Sequence, residues 1–144
     1  MNIRPYRRKA YYYETDRMDI VHHSNYVRWL EETRVDLLEQ IGCPFAEIEK
    51  RGLVSPVLSV ETNYRFPVRF GDEFEVRARL TEFNGCKYAL EYEITNVTTG
   101  QLACTAKTKH CFTDASLRPA RLKKSFPDIY EKFQKMIGVN NEEG

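Results

Sequence analysis

The chain has no apolar run near the roughly 20 residues that a membrane-spanning helix needs, which argues against a helical membrane protein and predicts a soluble one. It has almost no charge imbalance: 22 Lys and Arg against 21 Asp and Glu leave +1. No global field therefore draws it to nucleic acid or to a membrane surface, and neither is expected as a partner. Cysteine is sparse. Cys43, Cys86, Cys104 and Cys111 show no CxxC spacing, which disfavours a zinc site or a redox pair and favours reduced thiols used as small apolar residues. Also missing are internal repeats, low-complexity stretches and a linker. The basic start, Arg4 to Lys9, runs into aromatics rather than an apolar h-region, so a secretory signal is not expected and the expected location is cytoplasmic.

What is present is the composition of an ordinary globular domain, 42% hydrophobic and 30% charged over 144 residues, so one domain spanning 1–144 is expected. Lys9 to Glu14, rich in tyrosine, predicts a first strand. From Asn25 onward Tyr26, Trp29, Leu30, Thr33, Leu37 and Ile41 recur at three- and four-residue steps, with Arg28, Glu31, Glu32, Asp36, Glu39 and Gln40 opposite. This is one amphipathic helix, N-capped by Ser24 or Asn25 and stopped by Gly42 and Pro44. Phe45 to Arg51 predicts a short second helix.

Strands follow. Leu53 to Tyr64 is the first; Phe74, Val76, Ala78 and Leu80 then alternate with Glu75, Arg77, Arg79 and Thr81. Asn84-Gly85 predicts a two-residue hairpin turn, and the return strand puts Tyr88, Leu90, Tyr92 and Ile94 on one face. Thr98-Thr99-Gly100 turns the chain into Leu102 to Phe112. Ser125 to Met136 has helical spacing, and Val139 to Gly144 is expected to fray. The order predicts an α+β fold, an antiparallel meander curved around one long helix.

Candidate chemistry concentrates between Glu14 and Tyr26, a connection unusually dense in ionisable groups. A helix N-terminus offers unpaired N–H groups to a polarised carbonyl, and a carboxylate beside it could attack that carbonyl or activate water. Asp16 is the leading candidate, although the same residue could simply cap a turn. His22 and His23 are adjacent and point in different directions, with no third ligand at helical spacing, so no metal is expected. An acid–base role and a packing role both stay open for them, as do capping and stapling for Asn25 and Tyr26. Trp29, alone on an apolar stripe, is expected in the core.

These residues resemble the 4-hydroxybenzoyl-CoA thioesterase-like branch of the hotdog-fold acyl-CoA thioesterases. The resemblance rests on Tyr13-Glu14-Thr15-Asp16, on Ile20-Val21-His22-His23-Ser24-Asn25-Tyr26, and on Trp29, Glu32 and Arg34. It continues through Tyr64-Arg65-Phe66-Pro67 and Phe70-Gly71-Asp72, so that residues 8–115 are covered. It implies a hotdog fold and hydrolysis of an acyl-CoA or acyl-carrier-protein thioester without a cofactor. Asp16 would be the catalytic carboxylate, and a backbone N–H between His22 and Ser24, foremost His23, would polarise the carbonyl. Asn25 and Tyr26 would lie on the substrate side. Val57 to Tyr64 of a partner chain, including Val57 and Ser59, would line the acyl pocket of a homodimer or homotetramer. Arg65, Arg69 and Lys87 would be candidates for the coenzyme phosphates. The chain departs from the family pattern at Asp19, where Gly is usual, and at Glu14, where Asp is commoner. Two other readings accompany this one: a hydratase or dehydratase using His22 or His23, and a catalytically silent thioester-binding module.

Overall fold

The computed structural model describes residues 2–137 and 139, so the expectation for the end of the chain lies outside the described residues apart from Val139. Strict alternation of apolar and polar residues builds the sheet. Strand β3 (Glu73–Phe83) and strand β4 (Lys87–Asn96) turn Phe74, Val76, Ala78, Leu80, Tyr88, Leu90, Tyr92 and Ile94 inward, all buried. Strand β5 (Gln101–Cys111) adds Ala106, Thr108 and His110 to the same face. With β1 (Tyr6–Lys9) and β2 (Val57–Tyr64) the five strands run β1-β3-β4-β5-β2, every neighbour antiparallel.

Helix α1 (Ser24–Gln40) lies across the inner face and buries the predicted stripe from Tyr26 to Ile41. At 17 residues it is about 25 Å long. Trp29 sits fully buried between the Tyr26 ring, at 4.9 Å, and the Phe74 ring, at 3.8 Å. Short α2 (Phe45–Lys50) follows. Beyond the sheet, α3 (Leu122–Ser125) and α4 (Pro127–Met136) close one end, where Phe133 packs on Phe83, Tyr88 and Phe112.

Four local expectations are corrected. The first strand is Tyr6–Lys9, not Lys9 to Glu14: Tyr11, Tyr12 and Tyr13 face solvent on a 3-10 turn, which the Glu14 side chain closes by accepting the Tyr11 N–H at 2.8 Å. The second strand begins only at Val57, Val54 making a lone bridge to Thr113. The hairpin turn is displaced by one residue. Gly85, with φ +93°, and Cys86 are its central pair, while the Asn84 Oδ1 accepts the N–H groups of Cys86 and Lys87. Lastly, only β3, β4 and β5 form a meander. β2 pairs with β5 at the far edge, so residues 65–72 must cross back to reach β3.

A buried polar chain runs beneath this sheet. His110 is 1% exposed, its Nε2 lies 2.7 Å from the Thr108 hydroxyl, and its ring stacks on Tyr88 at 4.8 Å. The Tyr88 hydroxyl in turn meets Arg34 at 2.8 Å and Ser55 at 2.7 Å. Burial, with the Arg34 charge behind it, pushes His110 down to about 3 from 6.5. The unfolded chain therefore binds this proton between those two values and the folded chain does not, so stability falls as pH drops through that window. The expected slope from this one group approaches about 1.4 kcal/mol per pH unit. Urea melts between pH 3.5 and 6.5 should show His110→Gln losing much of the wild-type acid slope; identical slopes would mean that His110 is not the group responsible.

Candidate active site

The site is organised by the first acidic residue of the turn, which the sequence offers only as a companion to Asp16. Glu14 is 3% exposed. Its two oxygens accept a fork from the Arg8 guanidinium at 3.0 and 2.7 Å, the Tyr11 N–H at 2.8 Å and the Trp29 indole N–H at 2.8 Å. Burial alone would push the Glu14 carboxyl up, but these donors outweigh it and hold it below the usual carboxylate range. Arg8 is held from its other side by Glu32 at 3.0 Å. One side chain thus ties β1, the 3-10 turn and α1 together.

The backbone of the same residue sets up the next segment. The Glu14 carbonyl accepts the His22 N–H at 2.9 Å and the Asn25 side-chain amide at 2.9 Å. With the bridge from Thr15 to Val21 and the Asp16 N–H donating to the Ile20 carbonyl at 2.9 Å, residues 14–16 lie antiparallel to 20–22. The loop between them is tight. Met18 (φ +71°) and Asp19 (φ +60°) are both left-handed, a conformation that costs an L-residue about 1–2 kcal/mol and that Asp tolerates better than most. Asp16 opens this loop with its side chain exposed. Its carboxylate makes no cap and takes no hydrogen bond among the described residues, so it is not the turn-capping aspartate that the sequence also allowed.

At the start of α1 the N–H groups sort themselves. That of His22 goes to Glu14, that of Ser24 goes to the His22 Nδ1 at 3.2 Å, and those of Asn25 and Tyr26 go to the carbonyls of His22 and His23. The His23 N–H alone in this group has no acceptor among the described residues. The N-cap of α1 is thus His23, not Ser24 or Asn25 as expected, and its side chain makes no capping bond; the His22 ring, one residue earlier, accepts the Ser24 N–H instead. The His23 ring is exposed, stacked on His22 at 4.3 Å and edge-on to Tyr64 at 6.1 Å.

The other candidates fall in three places. Asn25 spends its amide on the Glu14 and His22 carbonyls, so it clips the loop to the helix. Tyr26 is 4% exposed beneath the site, stacked on Trp29, and burial pushes its hydroxyl up to about 12. Arg65 is exposed just past the end of β2, next in sequence to Tyr64, whose hydroxyl donates to the His23 carbonyl at 3.4 Å. Val57, Ser59 and Lys87 lie toward the opposite end of the sheet, with Val57 paired to His110 and Lys87 paired to Cys111. Seven strand steps from Val57 to Tyr64 span about 23 Å, so a single chain does not bring them to Asp16. Two hollows, of about 650 and 400 Å³, include neither Asp16 nor His23. The smaller is lined by Leu58, Lys87, Tyr88 and Lys109 among others. Sequence reading places Glu14 in the acidic turn but misses its anchoring role, its partner Arg8 and the bond from the Ser24 N–H to His22; the one available signal for that role of Glu14 is its spacing of three from Tyr11, as in a capping box.

Comparison with known proteins points one way. Residues 12–134 match the family model described as the thioesterase-like superfamily. A Bacillus subtilis protein provisionally named an acyl-CoA thioesterase is 34% identical over 86% of this chain and 90% of its own length. A DHNA-CoA thioesterase from Staphylococcus aureus superposes with a TM-score of 0.87 at 31% identity, covering 94% of this chain and 91% of that one. A hypothetical protein from Thermus thermophilus gives 0.84 at 36% identity, covering 92% and 98% respectively.

Glu14→Gln should cost about 3 kcal/mol, because removing one member of a buried pair strands the other and Glu32 relieves Arg8 only in part. Chemical denaturation of the variant beside the wild type measures this; a loss under about 0.5 kcal/mol would mean that Glu14 does not anchor the site.

Proposed function

The chain belongs to the thioesterase-like superfamily, and from that premise we propose that it hydrolyses an acyl-coenzyme A thioester, with Asp16 carrying the chemistry. It has the hotdog fold of that family, one curved antiparallel sheet around α1. The observation that supports the assignment of Asp16 is the pairing of two uncommitted groups on one rigid ladder: its own carboxylate and the His23 N–H at the positive end of α1. The thioester oxygen lies against that N–H. A new C–O bond forms at the carbonyl carbon and the C–S bond breaks. The products are a carboxylic acid and a thiol that takes up the proton released by water. Asp16 either removes that proton from the attacking water, or attacks the carbonyl carbon itself, expels the thiolate to leave a mixed anhydride, and is regenerated when one water hydrolyses that anhydride.

The substrate side of the site is completed by a second copy of the chain. Among the described residues β2 bonds only to β5, and its open edge exposes Val57 at 47%, Leu58 at 51%, Val60 at 43% and Tyr64 at 46%, the kind of edge that proteins normally cover. An antiparallel two-fold pairing centred between Val60 and Glu61 sets Val57 of the partner subunit beside Tyr64, and so beside His23. Ser59 and Lys87 of the partner subunit follow toward the same mouth, where the lysine, with Arg65 of this chain, suits coenzyme phosphates.

Asp16→Asn should lower thiol release from acyl-CoA substrates by roughly 10²–10⁴-fold while the circular dichroism is unchanged; full activity would exclude the assignment. Light scattering should find a dimer or a multiple of it. Val60→Lys should give monomers of low activity although Asp16 is untouched, and a fully active monomer would refute the shared site.

A further inference from the structure

We propose that Arg69 is a positioning residue for this reaction: it holds the Met18–Asp19 turn left-handed and thereby fixes where Asp16 presents its carboxylate. The inference rests on the catalytic reading of Asp16. Two successive left-handed residues, neither of them glycine, need something to hold them. Side-chain packing does not do it, since Met18 is 77% exposed and Asp19 faces solvent. Their carbonyls do. The Met18 carbonyl accepts from the Arg69 guanidinium at 3.2 Å, and the Asp19 carbonyl accepts the Phe70 N–H at 3.0 Å. Ile20, whose carbonyl takes the Asp16 N–H, bridges to Arg69 as well.

The support beneath Arg69 is stiff. Its N–H donates to the Asp72 carboxylate at 2.9 Å, its carbonyl accepts the Asp72 N–H at 3.0 Å, and Gly71 supplies the positive φ of that turn. The same Asp72 oxygen is held at 2.8 Å by Asn96, which is fully buried on β4. A line of hydrogen bonds therefore runs from the end of the central strand β4, through the crossover at residues 65–72, to the loop that carries Asp16. By sequence alone Arg69 is interchangeable with other surface arginines as a phosphate holder. Its donated bond to the Met18 carbonyl distinguishes it.

The test is steady-state kinetics on the full chain with an acyl-CoA it hydrolyses. Arg69→Met keeps the stem and removes the donors; kcat should fall about 10–100-fold, the scale of a small misplacement of a reacting group, with KM changed less than about twofold. Arg69→Lys, which can still donate to a carbonyl, should recover most of the loss. So should Asp19→Gly added to Arg69→Met, because glycine adopts the left-handed turn unaided. Exchange of the Phe70 amide should speed up in Arg69→Met and slow again in the rescued variant. A rise in KM of about tenfold or more with kcat intact would make Arg69 a phosphate ligand and overturn the proposal, as would failure of both rescues. Asp16→Asn measured alongside separates the two ideas. Full activity there removes the catalytic reading and this inference with it; an inactive Asp16→Asn beside an Arg69→Met of normal kcat removes the inference alone.

Discussion

The structure around the site depends on one buried carboxylate. Glu14 gathers a guanidinium, an indole N–H and a backbone N–H, and its own carbonyl then receives His22 and Asn25. Remove its charge and Arg8 loses its fork, the Trp29 indole N–H its charged acceptor and the 3-10 turn its closure. The consequence for function is indirect. Asp16 and the His23 N–H can stand uncommitted because Glu14, two residues before Asp16, satisfies the groups around them.

Much of the fold was legible because it obeys simple periods. The two-residue alternation from Phe74 to Leu80 and the three-to-four-residue stripe from Tyr26 to Ile41 correspond directly to buried faces. The tyrosines at 11–13 misled for a physical reason: aromatic residues favour strands as a class, but here a local carboxylate folds them into a turn and leaves them in water. The strand order was hidden for another reason. Nothing local in Arg65 to Asp72 says that this connection crosses the sheet, since the pairing of β2 with β5 is a long-range choice. Asp16 could be singled out by its company and by resemblance. The commitment of the Ser24 N–H to His22, beside a His23 N–H with no acceptor among the described residues, depends on side-chain placement that no local pattern encodes.

The site is built from parts of contrasting stability. Glu14, Trp29, Asn96 and Val68 are buried and fully engaged, whereas Asp16, Met18 and Asp19 stand in solvent on a strained loop. Such a division suits hydrolysis, in which a carboxylate must meet both water and substrate yet hold one orientation. The crossover at 65–72 joins the two classes, its Val68 fully buried and its carbonyl accepting the Val21 N–H at 2.8 Å. The open edge of β2 is exposed in a different sense, as apolar surface of the kind that proteins normally cover.

Trp29 is the only tryptophan in the chain, and it sits where the N-terminal arm, the helix and the sheet meet. Its emission is therefore a reporter confined to that junction. A fluorescence-detected transition follows release of Glu14 from the indole, whereas circular dichroism follows the sheet as a whole. The molecule thus carries its own local spectroscopic probe, within a few bonds of the loop that bears Asp16.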